Sequence, residues 1–264
     1  MSDLPDDVDV TRPSPARVYD YLLGGTANYA IDRQAAEHVL SRAPEARLSA
    51  VENRRFLIRA VEYLSSLGVR QFLDLGAGLP TAENTHQVAE RADGGARVVY
   101  VDRDPSALTH ARALLGPQAR AGYVHADIRD VPAVLEAHET RQLLDFRRPV
   151  AVLMVAVVHF LDDEDDPAGL VRRYVDELVP DSFLVVSSAS RTGIDAQTAR
   201  VAEEASRRFR FPVHLRSREE IAGMFGGLEL ERPGLVPVQD WPAPGAGRDL
   251  VVPMLGGVAR VRGS

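Results

Sequence analysis

The strongest fold signal in the sequence is Gln71-Phe-Leu-Asp-Leu-Gly-Ala-Gly-Leu-Pro80. It begins as a short apolar run of strand length and continues into a Gly-x-Gly turn, which predicts a buried strand followed by a turn that opens a helix. Glycine allows positive φ angles and lets a backbone approach a bound molecule closely. The stretch therefore indicates a ligand-binding strand–turn–helix unit, and a purely structural turn is the alternative.

The same alternation continues along the chain. Predicted strands cover residues 71–75, 97–101, 122–125, 150–155 and 182–187, and predicted helices cover 83–91, 105–115, 131–144 and 167–178. This order predicts an α/β fold with a parallel sheet and helices on both faces. Further helices are expected at 195–208 and 217–225, and two final strands at 228–230 and 250–255, joined by a surface loop over 233–247.

The region before the first strand has a different pattern. Residues 1–12 are predicted to be disordered, and residues 13–68 to form a helical extension. Its helices are expected at 14–23, at 32–42 and from 44 to 68, with Gly24 and Gly25 stopping the first. Residues 69–264 then form the predicted ligand-binding domain.

Composition excludes several classes of function. The chain has 264 residues, no cysteine and no lysine, so that all 31 basic residues are arginine. Disulfides, thiolate metal sites, Schiff-base chemistry and a P-loop lysine are therefore excluded. The acidic run Asp162–Asp166 is interpreted as a loop and a helix N-terminus capped by Asp166, and no metal is expected.

Charge and hydropathy bear on partners and location. A net charge of -7 argues against general nucleic-acid binding, and no apolar run is long enough to span a membrane. The acidic N-terminus lacks the pattern of a signal peptide. We expect a cytoplasmic protein with a small-molecule substrate and with neither nucleic-acid nor membrane partners, and the sequence leaves its oligomeric state open.

The residues around the glycine turn distinguish two classes of ligand. A dinucleotide fingerprint needs a third glycine, and Thr81, preceded by Pro80, stands in its place. The carboxylate of Asp74 also suits a cation better than a pyrophosphate. S-adenosylmethionine carries an ammonium and a sulfonium but no phosphate, and its own carboxylate suits the amides of a helix N-terminus. This cofactor is predicted to contact Asp74 and the turn itself, namely Gly76, Ala77, Gly78, Leu79 and Pro80.

Acidic residues also follow the next two predicted strands. Asp102 is placed to accept hydrogen bonds from ribose hydroxyls, and Asp127 to accept one from the adenine amine, with Ile128 covering the ring. The alternative for each acid is a helix cap or a surface position. Asp104 fits a cap better, because it directly precedes Pro105. Ligands of α/β sheets bind at the carboxyl ends of the strands, which favours the joint interpretation.

Together with several other sequence blocks, these residues make the chain resemble a known family. It is similar to class I S-adenosylmethionine-dependent methyltransferases and, more closely, to a bacterial family catalogued as S-adenosyl methyltransferase, whose substrates are largely unassigned. The matching blocks span residues 13–258 and lie at 16–25, 53–56, 72–81, 98–105, 126–130, 155–160 and 165–169. One departure is Thr26, where the family usually has lysine or a similar polar residue.

The resemblance implies a fold and further contacts. It implies a Rossmann-like sheet of seven strands, mainly parallel with the last antiparallel, and an N-terminal helical lid over the carboxyl edge of the sheet. The predicted cofactor contacts then also include residues of the matching blocks, namely Arg103, Val155, Ala156, Gly24 and Gly25.

Methyl transfer is an in-line displacement in which the protein mainly positions the acceptor and excludes water. His159, after the fourth strand, is the candidate general base or substrate contact, and a packing or capping histidine is the alternative. Tyr21 on the lid is a second candidate, favoured over Tyr19, and core packing is its alternative.

Two other functions remain open at this point. One is a non-catalytic regulatory protein that binds S-adenosylmethionine or its product S-adenosylhomocysteine. A polar cavity at His159 beneath the lid favours the enzyme, whereas a lid packed shut by apolar side chains favours the regulator. The other is an NAD(P)-dependent oxidoreductase, against which Asp74, Thr81 and the lack of lysine all argue.

Overall fold

A computed structural model describes residues 8–80, 83–92, 94–114, 120–210, 212–243 and 250–263, without the side chains of 112–114. The helices are α1 (Pro15–Leu22), α2 (Ala30–Leu40), α3 (Ala46–Ser66), α4 (Thr85–Ala92), α5 (Pro105–Leu114), α6 (Val131–Glu136), α7 (His138–Leu143), α8 (Pro167–Val175), α9 (Ala196–Phe209) and α10 (Arg218–Gly223). The strands are β1 (Gln71–Leu75), β2 (Arg97–Asp102), β3 (Ala121–His125), β4 (Ala151–Val155), β5 (Phe183–Ala189), β6 (Glu229–Leu230), β7 (Val236–Pro237) and β8 (Met254–Arg260).

These strands form one mixed sheet. Its order is β3-β2-β1-β4-β5-β8-β6, with β7 also paired to β8. Strands β1 to β5 pair in parallel, and β8 runs antiparallel to β5, β6 and β7. The predicted α/β class, with its mainly parallel sheet and antiparallel last strand, is confirmed. The described sheet has eight strands rather than seven, because the two-residue β7 adds to the edge.

The additional strand lies in a segment that was predicted to be a surface loop, and that prediction is wrong for residues 235–241. Val238 and Trp241 are buried, and Trp241 packs edge-to-face on Phe56 of α3 with ring centroids 5.7 Å apart. Large apolar side chains at these positions place the segment against α3. The rest of the predicted loop, residues 244–249, lies outside the described residues.

The core consists of two apolar clusters, one on each face of the sheet. Phe72, Val98 and Leu153 point into a cluster with α3, α4 and α5, whereas Leu73, Val99 and Val152 point into a cluster with α6, α8 and α10. Successive side chains of a strand face opposite sides. Strands that are apolar throughout therefore need helices on both faces, as the sequence predicts.

Two predicted boundaries are wrong. The helix expected over 131–144 is divided into α6 and α7 at Ala137, where φ is -55° and ψ is 144°, an extended conformation that no helix continues. The final strand is β8, at 254–260 instead of 250–255. Its Gly256 and Gly257, which propensity disfavours in a strand, lie against the rings of Phe56 and Phe225, where a Cβ would crowd them.

Helices α1 and α2 lie over the carboxyl edge of the sheet, and a buried cation is one of the groups that attach them to it. The Arg17 guanidinium donates to Asp32 at 2.9 Å and lies 3.4 Å from Asp104, which follows β2. It also donates to the backbone carbonyls of Asp9 and Arg12, which belong to the tail that was predicted to be disordered. Residues 1–7 of that tail lie outside the described residues. Helix α3 packs its apolar face into the core of the sheet, so the predicted division after residue 68 stays a prediction.

None of the described helices combines the length and apolar character that crossing a membrane requires.

Candidate functional site

A cavity of about 300 Å³ lies at the carboxyl ends of β1 to β4. Helices α1 and α2 cover it from one side, α9 covers it from another, and α3 forms its inner wall. Most residues predicted to bind the cofactor line it, namely Asp74, Gly76, Ala77, Gly78, Asp102, Arg103, Asp127, Ile128, Val155 and Ala156. Strands that are distant in sequence bring these residues together because their carboxyl ends share one edge of the sheet.

The glycine turn after β1 takes the conformation for which glycine was expected. Gly76 and Gly78 have φ angles of +70° and +68°, which residues with a side chain rarely adopt. A Cβ on Gly76 would lie 2.2 Å from Val157, whereas one on Gly78 would meet nothing closer than Ala16 at 3.9 Å. Gly76 is thus required by packing, and Gly78 leaves the backbone open toward the cavity. Leu79 and Pro80 line a smaller neighbouring cavity of about 20 Å³, and Thr81 lies outside the described residues.

The turn does not open directly into a helix, contrary to the prediction. Helix α4 begins only at Thr85, and two amides at its start already have protein partners. The His86 amide donates to the Tyr100 hydroxyl at 2.8 Å, and the Asn84 amide donates to Gln87 at 2.9 Å. A ligand carboxylate therefore needs another partner than these two amides.

Asp74 is a buried acid at the end of β1. Its carboxylate accepts a hydrogen bond of 2.7 Å from the Thr85 hydroxyl. Burial raises the pKa of Asp74 to about 6, although Thr85 and the nearby Arg54 oppose the shift. A low-dielectric environment disfavours the charged carboxylate, so a bound cation at this position favours its ionised form.

Asp102 occupies the equivalent place on β2. Its two oxygens accept hydrogen bonds from the backbone amides of Gly78 at 2.8 Å and of Asp104 at 2.9 Å. Burial raises the pKa of Asp102. Each carboxylate oxygen keeps a second lone pair, which suits a pair of hydroxyl donors. Asp104 caps α5 as predicted, since it accepts from the Ser106 amide at 2.9 Å.

The acid after β3 is held by an arginine. Arg129 donates to both oxygens of Asp127, at 2.9 and 2.6 Å, and Arg103 lies 3.7 Å away. Although burial acts to raise it, the Arg129 hydrogen bonds lower the pKa of Asp127. Ile128 is buried next to it at the cavity wall. Asp127 is thus an oriented, ionised acceptor at the rim.

A buried polar chain supports the end of β4, and sequence reasoning missed it. Ala156 has a strained φ of +57°, and its amide donates to the Ser187 hydroxyl at 3.0 Å. That hydroxyl donates to the Asn53 amide oxygen at 2.6 Å, and Asn53 donates to the Tyr19 hydroxyl at 3.0 Å. The chain links the lid helix α1 to the floor of the cavity. Strained backbone of this kind is common at functional sites.

His159 lines the cavity on a short 3-10 helix over 158–160. Its Nδ1 accepts a hydrogen bond of 3.2 Å from the Ala189 backbone amide, which assigns the proton of the neutral ring to Nε2. Burial, reinforced by Arg216 and His214, lowers the pKa of His159 to about 3. The ring is therefore neutral and offers a donor at Nε2, which is the wrong tautomer for a general base at that atom.

Three lid residues predicted to belong to the site, Tyr21, Gly24 and Gly25, are not among the described cavity walls. The Tyr21 hydroxyl donates to Glu37, and the Arg47 guanidinium stacks over its ring, whereas Tyr19 lines the cavity. Gly24 and Gly25 end α1, and a Cβ on Gly25 would overlap the Asp20 carboxylate. Their pattern is that of a helix terminus. Thr26 is exposed.

Arg54 and α9 are site features that the sequence did not single out. Arg54 of α3 lines both cavities beside Asp74 and donates to the Glu83 carbonyl at 2.8 Å. Helix α9 contributes Ala202, Ala205 and Phe209 to the cavity wall. The signal for Arg54 was its place in the 53–56 block, but nothing local in α9 distinguishes it from a surface helix.

The cap predicted at the end of the acidic run after β4 is confirmed, although residues Asp163–Asp165 form a short 3-10 helix instead of a loop. The Asp166 side chain accepts a hydrogen bond from the Gly169 amide at 3.1 Å and caps α8. Among the residues that the structure describes, no group of three or more His, Asp and Glu is arranged to hold a metal ion.

Comparison with known proteins identifies a matching family profile and several similar structures. The profile of a family described as S-adenosyl methyltransferase matches residues 1–262. A candidate methyltransferase from Thermobifida fusca YX is 37% identical, with a TM-score of 0.92 and 100% of both chains covered. A DUF574 family protein from Streptomyces avermitilis MA-4680 is 39% identical, with a TM-score of 0.90 and 96% and 98% of the two chains covered.

More distant similarity concerns the fold alone. The N-methyltransferase NodS from Bradyrhizobium japonicum WM9, in complex with S-adenosyl-L-homocysteine, is 17% identical, with a TM-score of 0.50 over 92% of this chain and 98% of its own. No functionally curated protein matches the chain in sequence.

Proposed function

The chain belongs to the S-adenosyl methyltransferase family, and from this premise we propose that it transfers the methyl group of S-adenosylmethionine to a small molecule bound under α1, α2 and α9. The observation that carries the proposal is the placement of Asp74, Asp102 and Asp127 around one cavity, at the ends of three neighbouring strands. A single acid of this kind is commonly a cap. Three acids facing one enclosed space fit a ligand with cationic and hydroxyl groups.

The residues present fit this cofactor on their own chemistry. Asp102 keeps lone pairs for two ribose hydroxyls, and Asp127 with Ile128 suits the adenine edge and face. Asp74, whose pKa burial raises to about 6, gains a counter-cation from the methionine ammonium. Arg54 would hold the methionine carboxylate in place of the α4 amides, because it is the cation that lines the cavity beside Asp74.

The cavity also bears on the regulatory alternative. Its walls beneath the lid are mainly apolar, which differs from the polar cavity expected for an enzyme. The lid is nevertheless not packed shut, because a cavity of about 300 Å³ remains open beneath it. A cavity that continues beyond the strand ends offers a second molecule a place. This continuation favours methyl transfer over passive cofactor binding.

When bound, S-adenosylmethionine supplies a methyl group activated by its sulfonium. The chain's own contribution is positional: the lid excludes water, and the backbone at 76–78 and 155–157 shapes the floor on which an acceptor lies. His159 donates a hydrogen bond from Nε2 to one lone pair of an acceptor oxygen and so orients the other lone pair toward the methyl group. His159 does not act as a general base at Nε2, because that nitrogen already carries the proton of the neutral ring.

Calorimetric titration tests this proposal. We expect binding of S-adenosylmethionine and S-adenosylhomocysteine and none of NADH, and we expect Asp102→Ala to weaken the former by about tenfold or more. Asp176→Ala, at an exposed i,i+4 pair with Arg172, is the matched control and should bind as the wild type does. Binding of NADH without S-adenosylmethionine binding would refute the proposal.

A further inference from the structure

The charged residues of the cavity come from one set of segments. Among its described lining residues, the charged side chains all belong to strand ends or the loops after them, except Arg54 on α3. The remaining walls are formed by α1, α2, α9, the chain around β8, residues 49–53 of α3 and His159, whose ring is neutral, and these contribute no charged side chain to the described lining. We call this part the lid compartment, and its main apolar walls are Val18, Val39, Ala202, Phe209, Leu215 and Met254.

Most polar groups of the lid compartment already have partners in the protein. The Tyr19 hydroxyl donates to the Ala50 carbonyl at 3.0 Å, and the Ser49 hydroxyl donates to the Val252 carbonyl at 2.8 Å. Asn53 is engaged on both sides by Ser187 and Tyr19. The polar groups left for a second ligand are therefore His159 Nε2–H and the Ser206 hydroxyl.

From this division of charge we propose that the methyl acceptor is an uncharged, predominantly apolar molecule whose nucleophilic oxygen accepts a hydrogen bond from His159 Nε2. The inference rests on the proposed function, in which the strand ends hold the cofactor. An ionised carboxylate, phosphate or ammonium in the lid compartment would lose its hydration without gaining a counter-charge, which is strongly unfavourable. An apolar body gains from the removal of its surface from water.

Methyl transfer requires no charged side chain in the lid compartment. One lone pair of the acceptor oxygen stays in the hydrogen bond from His159, and the other forms the new bond to the methyl carbon. The carbon–sulfur bond breaks, and its electron pair remains on sulfur, so that the positive charge passes from sulfur to the methylated oxygen. The proton of an acceptor hydroxyl then goes to bulk water as the product leaves. His159 stays neutral throughout and keeps its proton.

Matched naphthalene probes test the charge preference on protein saturated with S-adenosylhomocysteine. We expect 1-naphthol to bind about tenfold or more tightly than 1-naphthoate or 1-naphthylmethylammonium. Equal or tighter binding of either ion, or failure of 1-naphthol to bind, would overturn the inference. S-adenosylhomocysteine itself is titrated first: its failure to bind refutes the proposed function, whereas its binding combined with tight 1-naphthoate binding refutes only the acceptor class.

Variants locate the probe in the lid compartment. Ala202→Asp introduces a charge into its wall and should weaken 1-naphthol binding by roughly tenfold, whereas Ala196→Asp, at the exposed start of the same helix, should not. His159→Leu should lower the preference for 1-naphthol over naphthalene about fivefold, and His159→Gln, which retains a donor, should largely restore it. An unchanged preference in His159→Leu would remove the hydrogen bond from the proposal.

Discussion

At the scale of single residues, the ionised carboxylate of Asp74 makes the cofactor-free fold less stable than an uncharged side chain at that position would. Its carboxylate is buried, with a pKa of about 6 in place of the reference value of 3.8. A raised carboxyl pKa means that the folded state disfavours ionisation. The cofactor-free protein is therefore relatively destabilised as pH rises from 3.8 to about 6, and the full cost, roughly 3 kcal/mol, applies above that range.

Asp74→Asn should raise the melting temperature of the cofactor-free protein at pH 7.5, on the order of 5 °C, and should weaken S-adenosylmethionine binding. At pH 4 the gain in melting temperature should vanish, because the wild-type carboxyl is then mostly protonated in the folded state. Thermal unfolding at both pH values measures the effect. Asp176→Asn on the surface is the control, and a variant that is less stable than the wild type at pH 7.5 would contradict the argument.

At the scale of elements, one buried guanidinium forms the charged contact between α1, α2 and the sheet, beside the hydrogen bonds of Ser14 to Asp104 and of Asn53 to Tyr19. The side chains of Arg17, Asp32 and Asp104 are 4%, 0% and 6% exposed. A buried cation of this kind is costly to desolvate, but removing it leaves two buried carboxylates without a counter-charge. Asp104 also caps α5 directly after Asp102, so the lid and the ribose side of the site share this contact.

Arg17→Met should lower the free energy of unfolding by about 3–5 kcal/mol and weaken S-adenosylhomocysteine binding. Arg55→Met removes an exposed arginine that pairs with Glu52 at 2.6 Å, and it should cost less than about 1 kcal/mol. Urea denaturation compares the two variants. Equal losses in both would show that the buried cluster does not anchor the lid.

At the scale of the whole molecule, the two sides of the cavity differ in how firmly they are held. The sheet lies between two large apolar clusters, whereas α1, α2 and the end of α9 share a small cluster around Val18, Ala35 and Ala36 with Phe209 packed on it. Regions with few buried apolar contacts open locally at lower free energy. The lid is therefore expected to be the part of the molecule that admits ligands.

Hydrogen exchange should reveal this difference. Addition of S-adenosylhomocysteine should slow amide exchange in α1, α2 and α9, because a ligand that binds the closed state lowers the population of the open one. Helix α10, which packs into the cluster on the other face through Ile221, is the internal control and should not change. Equal slowing of α10 and the lid would indicate global stabilisation instead of lid closure.

The sequence alone determined the class of the sheet and the places of Asp74, Asp102 and Asp127. Those features follow from local patterns, because apolar strands must be covered on both faces and parallel strands direct their carboxyl ends to one edge. The turn glycines were likewise readable, since their positive φ angles are a property of the local backbone.

Three features could be established from the three-dimensional packing alone: which lid residues face the cavity, that α9 closes it and which nitrogen of His159 carries the proton. Tyr21 and Tyr19 are two residues apart, and packing of α1 against α3 placed Tyr19 at the cavity and Tyr21 outside its described walls. The proton of His159 follows from an amide thirty residues away in sequence. Such contacts depend on how distant segments pack together, and no local pattern encodes them.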